Sequence, residues 1–170
     1  MKQITIDVGH CTGCGQCALN CSFKNTGTFD LSQSSIHVVQ WEDICLSVPQ
    51  VCQQCKQSPC ILVCPSDALS LNPNTGAIQL DTAACSQCGA CETECTYQVI
   101  HITYDGYPQT CDLCGGNPQC VLVCYPGALH FEEIAEKDKE PFNPLAGILI
   151  DRAAGKNVPA PEELKARSVT

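Results

Sequence analysis

Hydrophobic positions in this chain come in short stretches closed by glycine, proline or polar turns, not in long periodic runs. They predict short strands over residues 3–7, 36–41, 68–71, 77–80, 99–103 and 128–131. Short helices are expected over 15–21, 59–64, 89–95 and 118–124. Leu71-Asn72-Pro73-Asn74-Thr75-Gly76-Ala77 reads as a tight hairpin, Pro and Gly supplying the turn dihedrals. Residues 22–51 form an insert, polar at first and then β-like, with no recognisable chemistry of its own. No apolar run approaches transmembrane length. The start, Met1-Lys2-Gln3-Ile4-Thr5-Ile6-Asp7, has no signal-like apolar region, so a cytoplasmic location is expected.

Cysteine changes the picture. It supplies 17 of 170 residues, while aromatics are only 5%. Four Phe, four Tyr and one Trp cannot fill a conventional core of this size. Cysteine at this density means disulfides or metal ligation. An odd total and a reducing compartment argue against a complete disulfide framework. A net charge of -9 with no basic stripe excludes nucleic acid as a partner.

Sixteen cysteines fall into four groups of four. Cys11, Cys14, Cys17 and Cys21 are spaced C-x2-C-x2-C-x3-C, and Cys85, Cys88, Cys91 and Cys95 repeat that spacing. Cys52, Cys55, Cys60 and Cys64 have a four-residue middle gap and are followed by Pro65; Cys111, Cys114, Cys120 and Cys124 have a five-residue gap, with Pro126 one residue further on. Three thiolates converging from a tight loop, with a fourth about one helical turn beyond, is the bacterial ferredoxin pattern, in which the fourth ligates a different cluster. Zinc is the rival, but its thiolate sites join two separated pairs and need no repeated third and fourth cysteine.

The groups are also copies of one another. Pro49-Gln50-Val51-Cys52 matches Pro108-Gln109-Thr110-Cys111, and Ile61-Leu62-Val63-Cys64 matches Val121-Leu122-Val123-Cys124. Ile6-Asp7 stands before Cys11 as Leu80-Asp81 stands before Cys85. A duplicated two-cluster module, one copy nested inside the other, accounts for all four groups.

Residues 1 to 132 with these motifs resemble the four-cluster, ferredoxin-like electron-transfer subunits of the dimethyl-sulfoxide-reductase and formate-dehydrogenase type. The resemblance implies an α+β fold of duplicated dicluster modules with short strands, short helices and long loops, plus an extended C-terminal tail. The outer module would span 1–48 and 104–132, the inner one 49–103, and a partner-docking tail 133–170. It implies four [4Fe-4S] clusters. Their ligands would be Cys11, Cys14, Cys17 and Cys124; Cys52, Cys55, Cys60 and Cys95; Cys85, Cys88, Cys91 and Cys64; and Cys111, Cys114, Cys120 and Cys21. The chain departs from the family pattern in its fourth group's gap and in having Pro directly after only Cys64, yet every ligand position keeps Cys. Relatives serve molybdenum or tungsten pterin enzymes, nickel hydrogenases, formate dehydrogenases and carbon monoxide dehydrogenases. The small subunits of tungsten aldehyde oxidoreductases, which pass electrons to a flavin subunit or ferredoxin, are the most similar. A free polyferredoxin and self-association into an extended wire are the other expectations.

A catalytic apparatus is missing: there is no dinucleotide or phosphate loop, nucleophile elbow or His/carboxylate metal motif. One-electron conduction between partners is therefore expected, without catalysis. Cys45, in Ile44-Cys45-Leu46, reads as a small buried hydrophobe, Trp41 as core, and His10 as a half-exposed loop residue. His37, His101 and His130 read as packing or surface residues on strands. The tail carries an apolar patch, Leu145, Ile148, Leu149 and Ile150, and a short helix beginning at Pro161, which suits docking on another protein.

Residues 1–130 hold ten acids against Lys2, Lys24 and Lys56, a net charge of 3 - 10 = -7. Adding electrons to anionic clusters in such a field is unfavourable, so low reduction potentials are expected. Redox titration followed by EPR tests this, and midpoints mostly above zero against hydrogen would contradict it. Deleting residues 141–170 should leave iron content intact and weaken complex formation, read by co-purification.

Overall fold

The computed structural model describes residues 2–134; the tail expected over 133–170 falls, from 135 onward, outside the described residues. The strands are β1 (Lys2–Ile6), β2 (Ile36–Trp41), β3 (Leu46–Val51), β4 (Leu69–Leu71), β5 (Ile78–Leu80), β6 (His101–Ile102), β7 (Pro108–Gln109) and β8 (Leu129–Glu133). The helices are α1 (Gln16–Thr26), α2 (Pro59–Leu62), α3 (Ala90–Thr93) and α4 (Gln119–Leu122). It is a small mixed fold of short helices and strands. Among the described residues the strands form four antiparallel two-stranded ribbons, β1–β8, β2–β3, β4–β5 and β6–β7. The first and last strands pair with Ile4 opposite Phe131, and α1 packs on α4 while α2 packs on α3.

Six strands lie where the hydrophobic pattern puts them. β3 and β7 are additional, and each contains a proline that breaks the strand signal in sequence. Pro49 sits opposite Val38 in a ribbon of only two strands, where its missing N–H need not face a partner. The hairpin at 71–77 forms as expected: the Asn72 side-chain oxygen accepts from the backbone N–H of Asn74 (2.8 Å) and Thr75 (3.2 Å). α1 runs five residues past its expected end because Gly27, at φ 73°, closes it with an N–H donated to the Phe23 carbonyl at 2.8 Å.

Two apolar clusters make the core. One contains Ile4, Ile6, Val8, Ile36, Leu46, Val48, Val51, Leu113 and Leu129; the other contains Leu69, Ile78 and Ile100. Cysteines complete both: Cys17, Cys21, Cys111 and Cys120 belong to the first, Cys60 and Cys91 to the second, and Cys52 packs against each. Trp41 is partly buried against the first cluster, in keeping with its expected place.

Cys45 is a correction. It is exposed, because it takes the left-handed conformation (φ 50°) that closes the β2–β3 hairpin after a 3-10 turn over Glu42–Ile44. That turn sends Leu46 inward and the cysteine outward. His10 is half-exposed and lies 2.8 Å from the Asp7 carboxylate.

The β2–β3 hairpin lies over the first cysteine loop. Gln40 donates from Nε2 to the Gly13 carbonyl at 2.9 Å, and a Cβ at Gly13 would overlap the Gln40 amide and come within 2.6 Å of Ser47 Oγ. Gly15 has the same φ of 71° but open space around it. Gly15→Ala is therefore expected to cost about 1–2 kcal/mol for its left-handed backbone. Gly13→Ala should cost clearly more, because the hairpin must also shift. Comparative thermal unfolding of the two variants checks this, and equal losses would refute the close approach.

Candidate functional site

Left-handed backbone is concentrated in the cysteine loops. Gln54 (φ 48°) lies between Cys52 and Cys55, Gln87 (φ 56°) between Cys85 and Cys88, and Leu113 (φ 55°) and Cys114 (φ 48°) follow Cys111. Each costs about 1–2 kcal/mol and persists only where the surroundings over-determine it. Such turns fold the chain tightly enough to aim three thiols from one loop at a common point. The short helices α2, α3 and α4 then carry the later cysteines of each group around to the neighbouring loop.

Cys21, Cys111, Cys114 and Cys120 line one cavity, together with Asn25, Ser35 and Ile36. Cys52, Cys55, Cys60 and Cys95 line a second, with Ile78, Val99 and Ile100. Cys64, Cys85, Cys88 and Cys91 line a third, with Leu69 and Leu80. The three enclose about 330, 330 and 310 Å³ including their mouths. The remaining set also converges: Cys11, Cys124 and Cys14 all act electrostatically on Cys17. Every set draws three sulfurs from one loop and one from that loop's partner. Among the described residues no three His, Cys, Asp or Glu side chains come together closely enough to hold a single metal ion; the thiols stand apart around their cavities. All-sulfur donor sets around a shared space suit an iron–sulfur cluster.

Burial dominates the electrostatics. It pushes the thiols of Cys17, Cys52 and Cys120 up to about 12 and Cys60 up to about 11, with neighbouring sulfurs adding to the effect. Cys111 is driven well above the ordinary thiol value by burial and then by Cys52. Burial likewise raises Cys11, Cys55, Cys91 and Cys114. At Cys64 burial is the largest single effect, but hydrogen bonds from Ser66, Ala68 and Leu69 together outweigh it and hold the thiol below the ordinary value. Backbone N–H groups also reach sulfur directly: Ser35 to Cys21 at 3.3 Å, Ala68 to Cys64 at 3.3 Å, and Gln87 to Cys85 at 3.4 Å.

The insert is therefore not chemically empty, as its sequence suggested. Ser35, Asn25 and Gln40 reach the cysteine loops, although no spacing signal marks them. His37 and His101 are more than packing residues. Their rings meet edge to face with centroids 4.7 Å apart, and His37 Nε2 lies 3.2 Å from His101 Nδ1. Because His101 Nε2 donates to the Ser32 carbonyl (2.7 Å), its Nδ1 accepts from His37 when both rings are neutral. Burial, and then the His101 charge, lower the His37 pKa. This pair joins the insert to β6. His130 is exposed on β8.

Residues 44–134 match the family described as the 4Fe-4S dicluster domain. The chain is similar to the polyferredoxin-like subunit of aliphatic sulfonate oxidoreductase from Pyrococcus furiosus, at 38% identity covering 72% of this chain and 70% of that one. It is 36% identical to the beta subunit of NADH-dependent phenylglyoxylate dehydrogenase from Aromatoleum evansii, over 75% of this chain but only 29% of that protein. The thiosulfate reductase electron transfer subunit PhsB of Salmonella typhi is 27% identical, covering 78% of this chain and 76% of that one.

The raised thiols set a pH dependence. In the metal-free chain they hold their protons at neutral pH, so cluster assembly must displace those protons. Iron uptake at fixed iron and sulfide is expected to fall as pH is lowered from about 9 to about 6, with protons released on assembly. Iron per chain and pH-stat titration measure the two quantities; pH-independent uptake would contradict the electrostatics.

Proposed function

The chain belongs to the 4Fe-4S dicluster domain family, and from that premise we propose that it is the iron–sulfur electron-transfer subunit of an oxidoreductase complex, carrying four [4Fe-4S] clusters. The observation that carries this reading is the grouping of sixteen cysteines into four sets, three of them each lining one cavity and the members of the fourth acting electrostatically on one another. Cys11, Cys14, Cys17 and Cys124 would hold one cluster. Cys111, Cys114, Cys120 and Cys21 would hold the next, followed by Cys52, Cys55, Cys60 and Cys95, and then Cys85, Cys88, Cys91 and Cys64. When bound, each cluster stores one electron and exchanges it with its neighbours.

The order follows from which sulfurs face each other. Cys17 acts on Cys120, which links the first two sets, and Cys52 acts on Cys111, which links the second to the third. α2 against α3 joins the third to the fourth. Among these sixteen, Cys14 and Cys88 are the exposed ones, and they sit in the two terminal sets. Electrons thus enter and leave at opposite ends, and the middle sets stay insulated.

The nested duplication is part of the same proposal. The β1–β8 ribbon and the α1–α4 contact bracket the α2–α3 pair. The ribbons β2–β3 and β6–β7 cross the expected module boundaries at 48 and 103, so the modules share strands in place of linkers. The catalytic partner we favour is a tungsten or molybdenum pterin enzyme such as an aldehyde oxidoreductase, with a flavin subunit or ferredoxin as acceptor. Among the described residues no helix is long and apolar enough to cross a membrane.

Iron analysis and EPR of the native protein should give about 16 iron atoms per chain. Cys111→Ser should disturb one cluster, whereas Cys45→Ser should leave all four intact. About half that iron in the unaltered chain would overturn the four-cluster reading. Elemental analysis of the co-purifying complex tests the partner, and the absence of both tungsten and molybdenum would remove the pterin enzyme.

A further inference from the structure

The four cysteine sets are not equivalent in what surrounds their sulfurs, and the insert makes the difference. Ser35 is 2% exposed and lines the cavity of Cys21, Cys111, Cys114 and Cys120. Its N–H donates to Cys21 Sγ at 3.3 Å. Its hydroxyl donates to the carbonyl of Thr110, the residue before Cys111, at 2.9 Å, and accepts from Gln109 Nε2 at 2.9 Å. One residue thereby ties the sulfur that arrives from α1 to the loop that supplies the other three. Asn25, one helical turn after Cys21 and on the same cavity, donates from Nδ2 to Cys21 Sγ at 3.7 Å.

The duplicated module provides an internal control. Cys95 occupies in the inner copy the place that Cys21 occupies in the outer one, and Val99 stands where Asn25 stands. Its cavity has Val99 and Ile100, together with Gln53, Ser58, Thr96 and Tyr97, where that of Cys21 has Asn25 and Ser35. Lys24 and Asp112 both act on Cys114, in opposite senses.

We propose that Ser35 and Asn25 are the residues that set the reduction potential of the site formed by Cys21, Cys111, Cys114 and Cys120, raising it above that of its counterpart with Cys95. Donors to sulfur favour the more negative, reduced state of a cluster, because they stabilise charge that reduction adds. The site next to the terminal set then holds an electron more readily than the one beyond it. The chain carries a step in potential where its sequence repeat alone would give a level one. Ser35 acts as a positioning residue: its hydroxyl fixes where its N–H points. This inference rests on the four-cluster assignment proposed above.

The test is a redox titration by EPR on the intact, cluster-loaded protein, with iron per chain measured alongside. Asn25→Leu removes one donor. Ser35→Pro removes the other, and the preceding Ser34, at φ -92° and ψ 136°, already has the extended backbone that a following proline requires. Each should shift one midpoint of four to more negative potential, by up to a tenfold change in its reduced-to-oxidised ratio, about 59 mV for one electron. Ser35→Thr keeps both the N–H and the hydroxyl and should retain the parent potential. Ser35→Ala keeps the N–H but loses its clamp, and should fall between. Full iron content with four unmoved midpoints in both Asn25→Leu and Ser35→Pro would overturn the inference while sparing the cluster assignment. Missing iron in the unaltered chain would overturn the assignment itself.

Discussion

Buried sulfur is the constraint on which the rest of this structure depends. The core draws on too few aromatics to close by itself, and cysteines take their place among Ile, Val and Leu. Burial drives those thiols toward their protonated form, four of them up to about 11 or 12 and Cys111 well above the ordinary thiol value. A metal that binds thiolate reverses that preference, since it replaces the proton and satisfies four sulfurs at once. Metal loading would therefore stabilise the folded arrangement of these sulfurs. The left-handed residues in the cysteine loops, the one-turn helices and the two-stranded ribbons would each be marginal alone. They are held by what the sulfurs hold.

Much of this was legible in the sequence, because ligand spacing is a direct statement of geometry. Three thiols two residues apart can converge only from a tight loop, and a fourth after x3 points elsewhere, so the four groups could be read from residue numbers, while the exchange of fourth cysteines between groups came from the family resemblance. The strands and one-turn helices followed from short apolar runs between turn residues. What stayed hidden has physical reasons. β3 and β7 contain Pro49 and Pro108, which mask a strand signal, yet a two-stranded ribbon leaves one edge where a missing N–H does no harm. Cys45 sits between apolar residues and so reads as buried, but a positive φ turned it outward. Ser35 and Asn25 are ordinary polar residues in an ordinary polar stretch, and only the tertiary path of the insert brings them to Cys21.

The insert is also where the two proposed copies part. In the outer copy the residue between the first two cysteines is Gly13, and Gln40 from the hairpin donates to its carbonyl at 2.9 Å. In the inner copy the same place is held by Gln87, with the same left-handed backbone, and its own side chain donates to the Asp105 carbonyl at 3.0 Å. Both arrangements brace a left-handed loop with one glutamine amide. The inner copy carries that amide within the loop, where it reaches the β6–β7 turn. At Gly13 there is no side chain, and the space one would need is taken by Gln40 and Ser47 of the hairpin.

That exchange explains why the insert could acquire influence without any ligand of its own. A loop braced by its own side chain can be altered only by changing that side chain. A loop braced by a separate hairpin is coupled to whatever else the hairpin touches: the His37–His101 contact, the Ser35 clamp on Thr110, and through it the sulfur of Cys21. The proposed modules would share their ligand geometry and differ in the hydrogen-bonding environment around it. In a chain of otherwise equivalent sites, that environment is the remaining means of making one end differ from the other.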